Sequence, residues 1–144
     1  MQQIKRAANV PNLTQVDAKF MLVYINSKKE NNFAAALPYA KSLYGSYPGN
    51  LSFLFDYAEM LERDKQHVQS RALFDKVFTI CNKSEGACSK KMVFLSNLFV
   101  AMGYIDQKDL SSAKSYVLAA DKLRDAAGTK DRVALVDSWL KLVK

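Results

Sequence analysis

The sequence predicts an all-α chain, a solenoid of antiparallel helix pairs, on three observations. The first is an internal repeat. Moving forward 34 residues takes Ala36 to Ser70, Ala40 to Phe74, Leu43 to Val77 and Ser46 to Ile80, and moving a further 43 takes those to Ala113, Val117, Ala120 and Leu123. Small or apolar side chains thus recur at offsets 0, 4, 7 and 10, one stripe of a helix. A period near 34 residues marks stacked helix pairs, each burying its apolar face against the next. The second observation is the scarcity of helix breakers: three prolines and five glycines in 144 residues suit long helices over many short strands. The third is a hydrophobic content of 49% with a mean hydropathy of -0.15, enough to bury a core and an argument against disorder.

Each element follows from local signals. Ile4, Ala7 and Ala8 read as the last turns of a helix that Pro11 stops, so residues 1–13 are an N-terminal cap or the end of a preceding repeat. Thr14, with Asp17 three residues on, suits a capping box. The first helix then runs from about Gln15 to Lys28, packing through Phe20, Val23, Tyr24 and Ser27. After the polar turn Lys29–Asn32, a second helix spans Phe33 to about Tyr47. Pro38 falls near its first turn, where a missing N–H costs less. The run Tyr47-Pro48-Gly49-Asn50 stops it. The third helix, Leu51 to Arg63, packs through Leu54, Tyr57, Ala58 and Leu61; the fourth is about His67 to Asn82.

Residues 85–93 exceed the period by nine, and Ser89 among them is placed to cap a fifth helix, Lys90 to Ile105. That helix is apolar over so many positions, Met92 to Leu95 and Leu98 to Met102, that it is buried on more than one side or keeps an apolar exposed face. A sixth helix, about Asp109 to Ala126, ends before Gly128. The seventh, Lys130 to Val143, sets Val133, Val136, Leu140 and Val143 at helical spacing beside Trp139. It suits the end helix that a solenoid needs. The reading is one domain, with repeats at 17–50, 51–84 and 94–127 and a capping helix at 129–144.

A net charge of +7 suits acidic proteins, nucleic acid or anionic lipid, yet no block of five like charges exists and the scattered lysines read as a solvated face. No run of about 18 apolar residues is present to span a membrane. The start of the chain lacks the apolar stretch of an intact signal peptide. The only histidine, His67, offers no partner for catalysis or a metal and reads as structural. Cys81 and Cys88 flank the inserted turn with no third cysteine or nearby histidine. A disulfide closing a short loop and two free thiols both stay open, and with them the compartment, cytoplasmic or, if the pair is oxidised, periplasmic or secreted. Glu59 with Glu62, and Asp121 with Asp125, read as surface charges. No phosphate loop or hydrolase motif occurs, so the expectation is no enzyme, no metal and no cofactor.

The second halves of the first and third repeats, KENNFAAALPYAKSLYGSYP and QKDLSSAKSYVLAADKL, resemble the tetratricopeptide repeat (TPR) family. The resemblance covers residues 17–127 and implies a right-handed superhelix whose first helices line a concave groove. Groove positions carried over by this resemblance are Ala18, Met21, Ile25, Lys28 and Lys29, then Ser52, Phe55, Glu59, Glu62 and Arg63, then Leu95, Leu98, Met102, Ile105 and Asp106. The middle of that set is apolar and its edge charged, which suits a peptide or helix from a protein partner. The Lys and Asn clamp by which some family members hold a C-terminal carboxylate is missing, since Met21, Ile25, Asp56, Leu95 and Phe99 stand there. Leu95 and Leu98 have a second reading, as residues packed under the last helix. Two further functions remain as alternatives: self-association into homo-oligomers through apolar surfaces, and, as a minor one, RNA binding through Lys5-Arg6, Lys28-Lys29 and Lys90-Lys91.

Overall fold

The computed structural model describes Lys5 and residues 13–144. Apart from Lys5, which is helical and exposed, the expected N-terminal helix over residues 2–10 lies outside the described residues. The described chain is all-helical: α1 (Leu13–Tyr24), a π turn (Ile25–Lys29), α2 (Phe33–Ser46), α3 (Leu51–Arg63), α4 (His67–Lys83), α5 (Lys90–Asp106), α6 (Leu110–Lys122), a short 3-10 turn (Arg124–Ala126) and α7 (Lys130–Val143). Short polar side chains start most of these helices by accepting an otherwise orphaned backbone N–H. Asn32 accepts from Ala35, Asn50 from Phe53, Ser89 from Met92, Asp109 from Ser112 and Thr129 from Arg132.

Two boundaries differ from the sequence reading. Thr14, expected at the start of the first helix, stands inside α1. The sixth helix ends at Lys122 because Leu123 leaves helical geometry (φ -111°, ψ 19°), and the 3-10 turn carries the chain to Gly128, whose φ of +83° few other residues adopt.

The chain divides into two compact units, one ending at Ser70 and the other running Arg71–Lys144. In the first, α1 packs on α2 and α2 on α3; in the second, α5 packs on α6 and α6 on α7. The first core gathers Val23, Ala36, Ala40, Leu43 and Met60, with Phe33, Leu37, Phe53 and Tyr57 packed around it. In the second, Phe74 stacks on Phe99 with centroids 6.2 Å apart, and Tyr104 stacks on Tyr116 at 5.8 Å.

The repeat stripe is the buried side of the second helices. Offsets 0, 4 and 7 are buried in every copy: Ala36, Ala40 and Leu43, then Ser70, Phe74 and Val77, then Ala113, Val117 and Ala120. Offset 10 is not, since Ser46 is exposed and Ile80 and Leu123 are half-buried. Ser70 takes a position that holds alanine in the other two copies. A buried hydroxyl needs a partner, and it donates to the Ala58 carbonyl at 2.9 Å.

The period also appears in the backbone. Asn31, Lys65 and Lys108, the residues with positive φ outside glycine among those described, sit in the three interhelix turns at spacings of 34 and 43. The turns after α3 and α5 close with matching bonds. Asp64 N–H donates to Met60, Lys65 to Glu62 and Gln66 to Leu61; 43 residues later Gln107 donates to Gly103, Lys108 to Ile105 and Asp109 to Tyr104. The first turn keeps the left-handed residue, but its acceptors lie one residue earlier: Glu30 N–H donates to Ile25 at 3.1 Å and Asn32 to Asn26 at 2.6 Å. That shift is the π turn.

The packing side of α1 also differs from expectation. Leu22, Val23 and Ala18 are buried, while Phe20 and Tyr24 are 47% and 46% exposed. The helix is apolar around most of its circumference, so periodicity alone does not fix which side turns inward.

Candidate partner-binding face

Eleven of the fifteen residues expected to line a groove fall into three environments. Met21 is half-exposed and Ile25 half-buried, while Lys28 and Lys29 are exposed, all on α1 and its π turn. Phe55, Glu59 and Glu62 on α3 are buried, with Arg63 half-buried beside them. In the second unit Leu95 and Leu98 are buried and Met102 half-buried. An open apolar surface in the first unit is therefore centred on α1, where Phe20, Met21 and Tyr24 share the exposed side. The Lys29 ammonium lies over the Tyr24 ring, 5.9 Å from its centroid.

Glu59 and Glu62 are not surface charges, as their spacing had suggested. Glu59 is 5% exposed and Glu62 2%. A buried carboxylate is tolerated only with compensating partners. The Glu59 Oε2 atom has Lys28 Nζ and Arg63 Nε each at 3.5 Å, and the Arg63 guanidinium lies over the Phe33 ring, 5.4 Å from its centroid. Glu62 meets the His67 Nδ1 atom, which gives the lone histidine a structural role at the start of α4. Sequence spacing within α3 could not show this, because Lys28 is 31 residues from Glu59 and belongs to another helix.

Asp56, one turn before Glu59, was missed as a member of this cluster. Burial is the main force pushing its carboxyl up from 3.8 to about 6, the Glu59 charge adds to the rise and Lys28 opposes it. The π turn places that lysine. Asn26 and Ser27 are buried, and each bonds back to its own helix: Asn26 Nδ2 donates to the Leu22 carbonyl at 2.8 Å and Ser27 Oγ to Val23 at 2.6 Å. A signal for this lay in the repeat, since 34 residues later those two positions hold Met60 and Leu61. A polar pair at apolar repeat positions marks a local departure.

Each unit carries a surface cavity. One of about 450 Å³ in the first unit is lined by Leu37, Pro38, Lys41, Tyr57, Leu61, Gln66 and Gln69. The other, about 420 Å³ in the second unit, lies at the 3-10 turn and the start of α7 between Arg124 and Lys130. Arg124 is held there by Asp121 and Asp137. The Arg132 guanidinium donates to the Ala127 carbonyl, so these cations serve the ends of helices.

Among the described residues no group of three or more His, Cys, Asp or Glu is placed to hold a metal ion, and no helix is long and apolar enough to cross a membrane. Every described lysine except Lys19 is exposed. Cys81 and Cys88 are joined by a disulfide with Cα atoms 5.1 Å apart, closing the loop between α4 and α5. No family model, curated protein or solved structure matches the chain.

Proposed function

We propose that this chain is a degenerate tetratricopeptide-type repeat protein and a non-enzymatic scaffold that holds a peptide or helix of a protein partner. The observation that carries the repeat assignment is the shared spacing of the left-handed turn residues and the buried stripe, 34 and then 43 residues apart in both. A repeat array leaves one row of helices free for ligands. The partner surface is centred on Met21, Phe20 and Tyr24, with Ile25 beside them and Lys28 and Lys29 at the end. Half-exposed methionine and aromatic side chains supply adaptable apolar area, and the lysines orient an approaching acidic group.

The test is crosslinking in cells from a photoreactive residue at position 21, compared with one at exposed Glu30. A protein adduct specific to position 21, lost when Phe20→Ser and Tyr24→Ser are introduced, supports the reading. Equal labelling from both positions contradicts it. A second reading, self-association, is favoured by the same exposed rings. Light scattering separates the two, since a strict monomer at high concentration removes self-association.

A further inference from the structure

The stretch that joins α4 to α5 reads Cys81-Asn82-Lys83-Ser84-Glu85-Gly86-Ala87-Cys88. The disulfide holds its two ends with Cα atoms 5.1 Å apart. Every residue between them, Asn82 to Ala87, is exposed. α4 ends at Lys83, and the Ala87 N–H donates to the Ser84 carbonyl at 3.2 Å to form the turn that follows. Gly86 stands in that turn with φ +81°, and a Cβ there would meet nothing beyond its chain neighbours within 4 Å. The tip of the loop therefore faces open space.

Asn82-Lys83-Ser84 is an Asn-x-Ser triplet without proline at its centre, the acceptor pattern for N-linked glycan transfer. The triplet alone decides little, since the same pattern stands at Asn12-Leu13-Thr14 and Asn50-Leu51-Ser52. Asn12 lies outside the described residues. Asn50 is already committed: its Oδ1 accepts the Phe53 N–H at 3.1 Å, and Ser52 lies inside α3. Asn82 and Lys83 are instead the last residues of α4, where helix ends fray, and Ser84 lies beyond the helix. The second observation is the disulfide that brackets the triplet. Such bonds form and persist in oxidising compartments, and Asn-x-Ser acceptors are modified on surface loops of proteins that pass through them.

We propose that Asn82 is an N-glycosylation site, displayed on a disulfide-closed loop of a chain that matures in an oxidising compartment. The donor is an oligosaccharide carried on a polyprenyl diphosphate, which that compartment supplies together with the transferase. The Asn82 amide nitrogen attacks the anomeric carbon of the first sugar. A C–N bond forms as the bond from that carbon to the diphosphate oxygen breaks. The nitrogen gives up a proton, the lipid diphosphate departs, and nothing is oxidised or reduced. Ser84 supplies the hydroxyl of the acceptor pattern. The site lies in the second unit and does not depend on a partner reaching α1.

Mass spectrometry tests it. The chain is purified from the cells that make it, kept unreduced, and treated with a peptide N-glycosidase in heavy-oxygen water before digestion. That enzyme turns a glycosylated asparagine into aspartate and so marks the position. A heavy-oxygen aspartate at position 82, in a peptide still joined through Cys81 and Cys88, supports the proposal. An unmodified Asn82 overturns it, and so do free thiols at Cys81 and Cys88. Two variants check that the acceptor pattern directs the modification: Ser84→Ala should reduce the mark to background, and Ser84→Thr should keep it. Ser84 is exposed, so neither change disturbs a core. A mark that survives Ser84→Ala overturns the proposal. Should a variant fail to accumulate, the wild-type measurement at Asn82 decides alone.

Discussion

The turn between α1 and α2 and the turn between α5 and α6 begin from the same repeat position and close differently. Both pass through one left-handed residue, Asn31 or Lys108. After α5, Lys108 is followed by an amide that reaches back to Tyr104, the pattern that Gln66 and Leu61 also make. After α1 the corresponding amide, on Asn32, reaches one residue further, to Asn26. The difference teaches that the left-handed residue sets where a turn goes, while the last residues of the preceding helix set how tightly it closes. Gly103 and Tyr104 allow an α-helical ending; Asn26 and Ser27 bond to their own helix carbonyls and widen it.

Four measurements would break or sharpen this comparison, and the largest effect lies under the turns. If the second helices were interchangeable, Phe74→Ala would be mild, because Ala40 holds the equivalent place. Phe74 is fully buried against Phe99, so we expect a loss of about 3–5 kcal/mol in urea unfolding. A loss under about 1 kcal/mol would show that the copies can trade residues.

Next comes the connection that the first unit lacks. Reducing the Cys81–Cys88 bond frees a loop of sequence separation 7, and chain entropy puts the cost at about 2 kcal/mol. A thermal melt with and without a phosphine reductant, read from Trp139 fluorescence, measures it in the second unit.

A smaller effect probes the π turn. Asn26→Ala removes the bond to Leu22 and should cost about 1 kcal/mol. Protection of the Glu30 and Asn32 amides should fall while that of Gln66 and Asp109 holds. Equal loss in all three turns would mean that Asn26 supports the first unit in general.

The smallest effect has the opposite sign. Lysine is strained at φ 61° and 65°, so Lys108→Gly and Lys65→Gly should each stabilise by about 0.5 kcal/mol. Asn31→Gly should gain less, since asparagine tolerates its φ of 51°. Urea midpoints of the three variants give the comparison.

Much of the fold was legible because its determinants are local. The run Tyr47 to Asn50 and Ser89 are punctuation that works over three or four residues, and helices stop or start there. The stripe at Ala36, Ser70 and Ala113 was legible because burial repeats at a fixed interval. The candidate surface was less so. Phe20 and Tyr24 were assigned to the packing side of a helix that is apolar nearly all round, and Asn26, buried beside Ser27, looks like surface until its bond to Leu22 is seen. Glu59 and Glu62 read as solvated because their compensating partners, Lys28 and His67, sit on other helices. Periodicity sees one helix at a time, whereas a buried charge is settled between helices.

The bond between Cys81 and Cys88 has a consequence for any protease that reaches the exposed segment between them. A single tryptic cut after Lys83 would give two pieces that still migrate as one band on a non-reducing gel and part only when thiol is added. Nicked molecules would keep the halves of that hairpin tethered, and reductant would decide whether they stay partners.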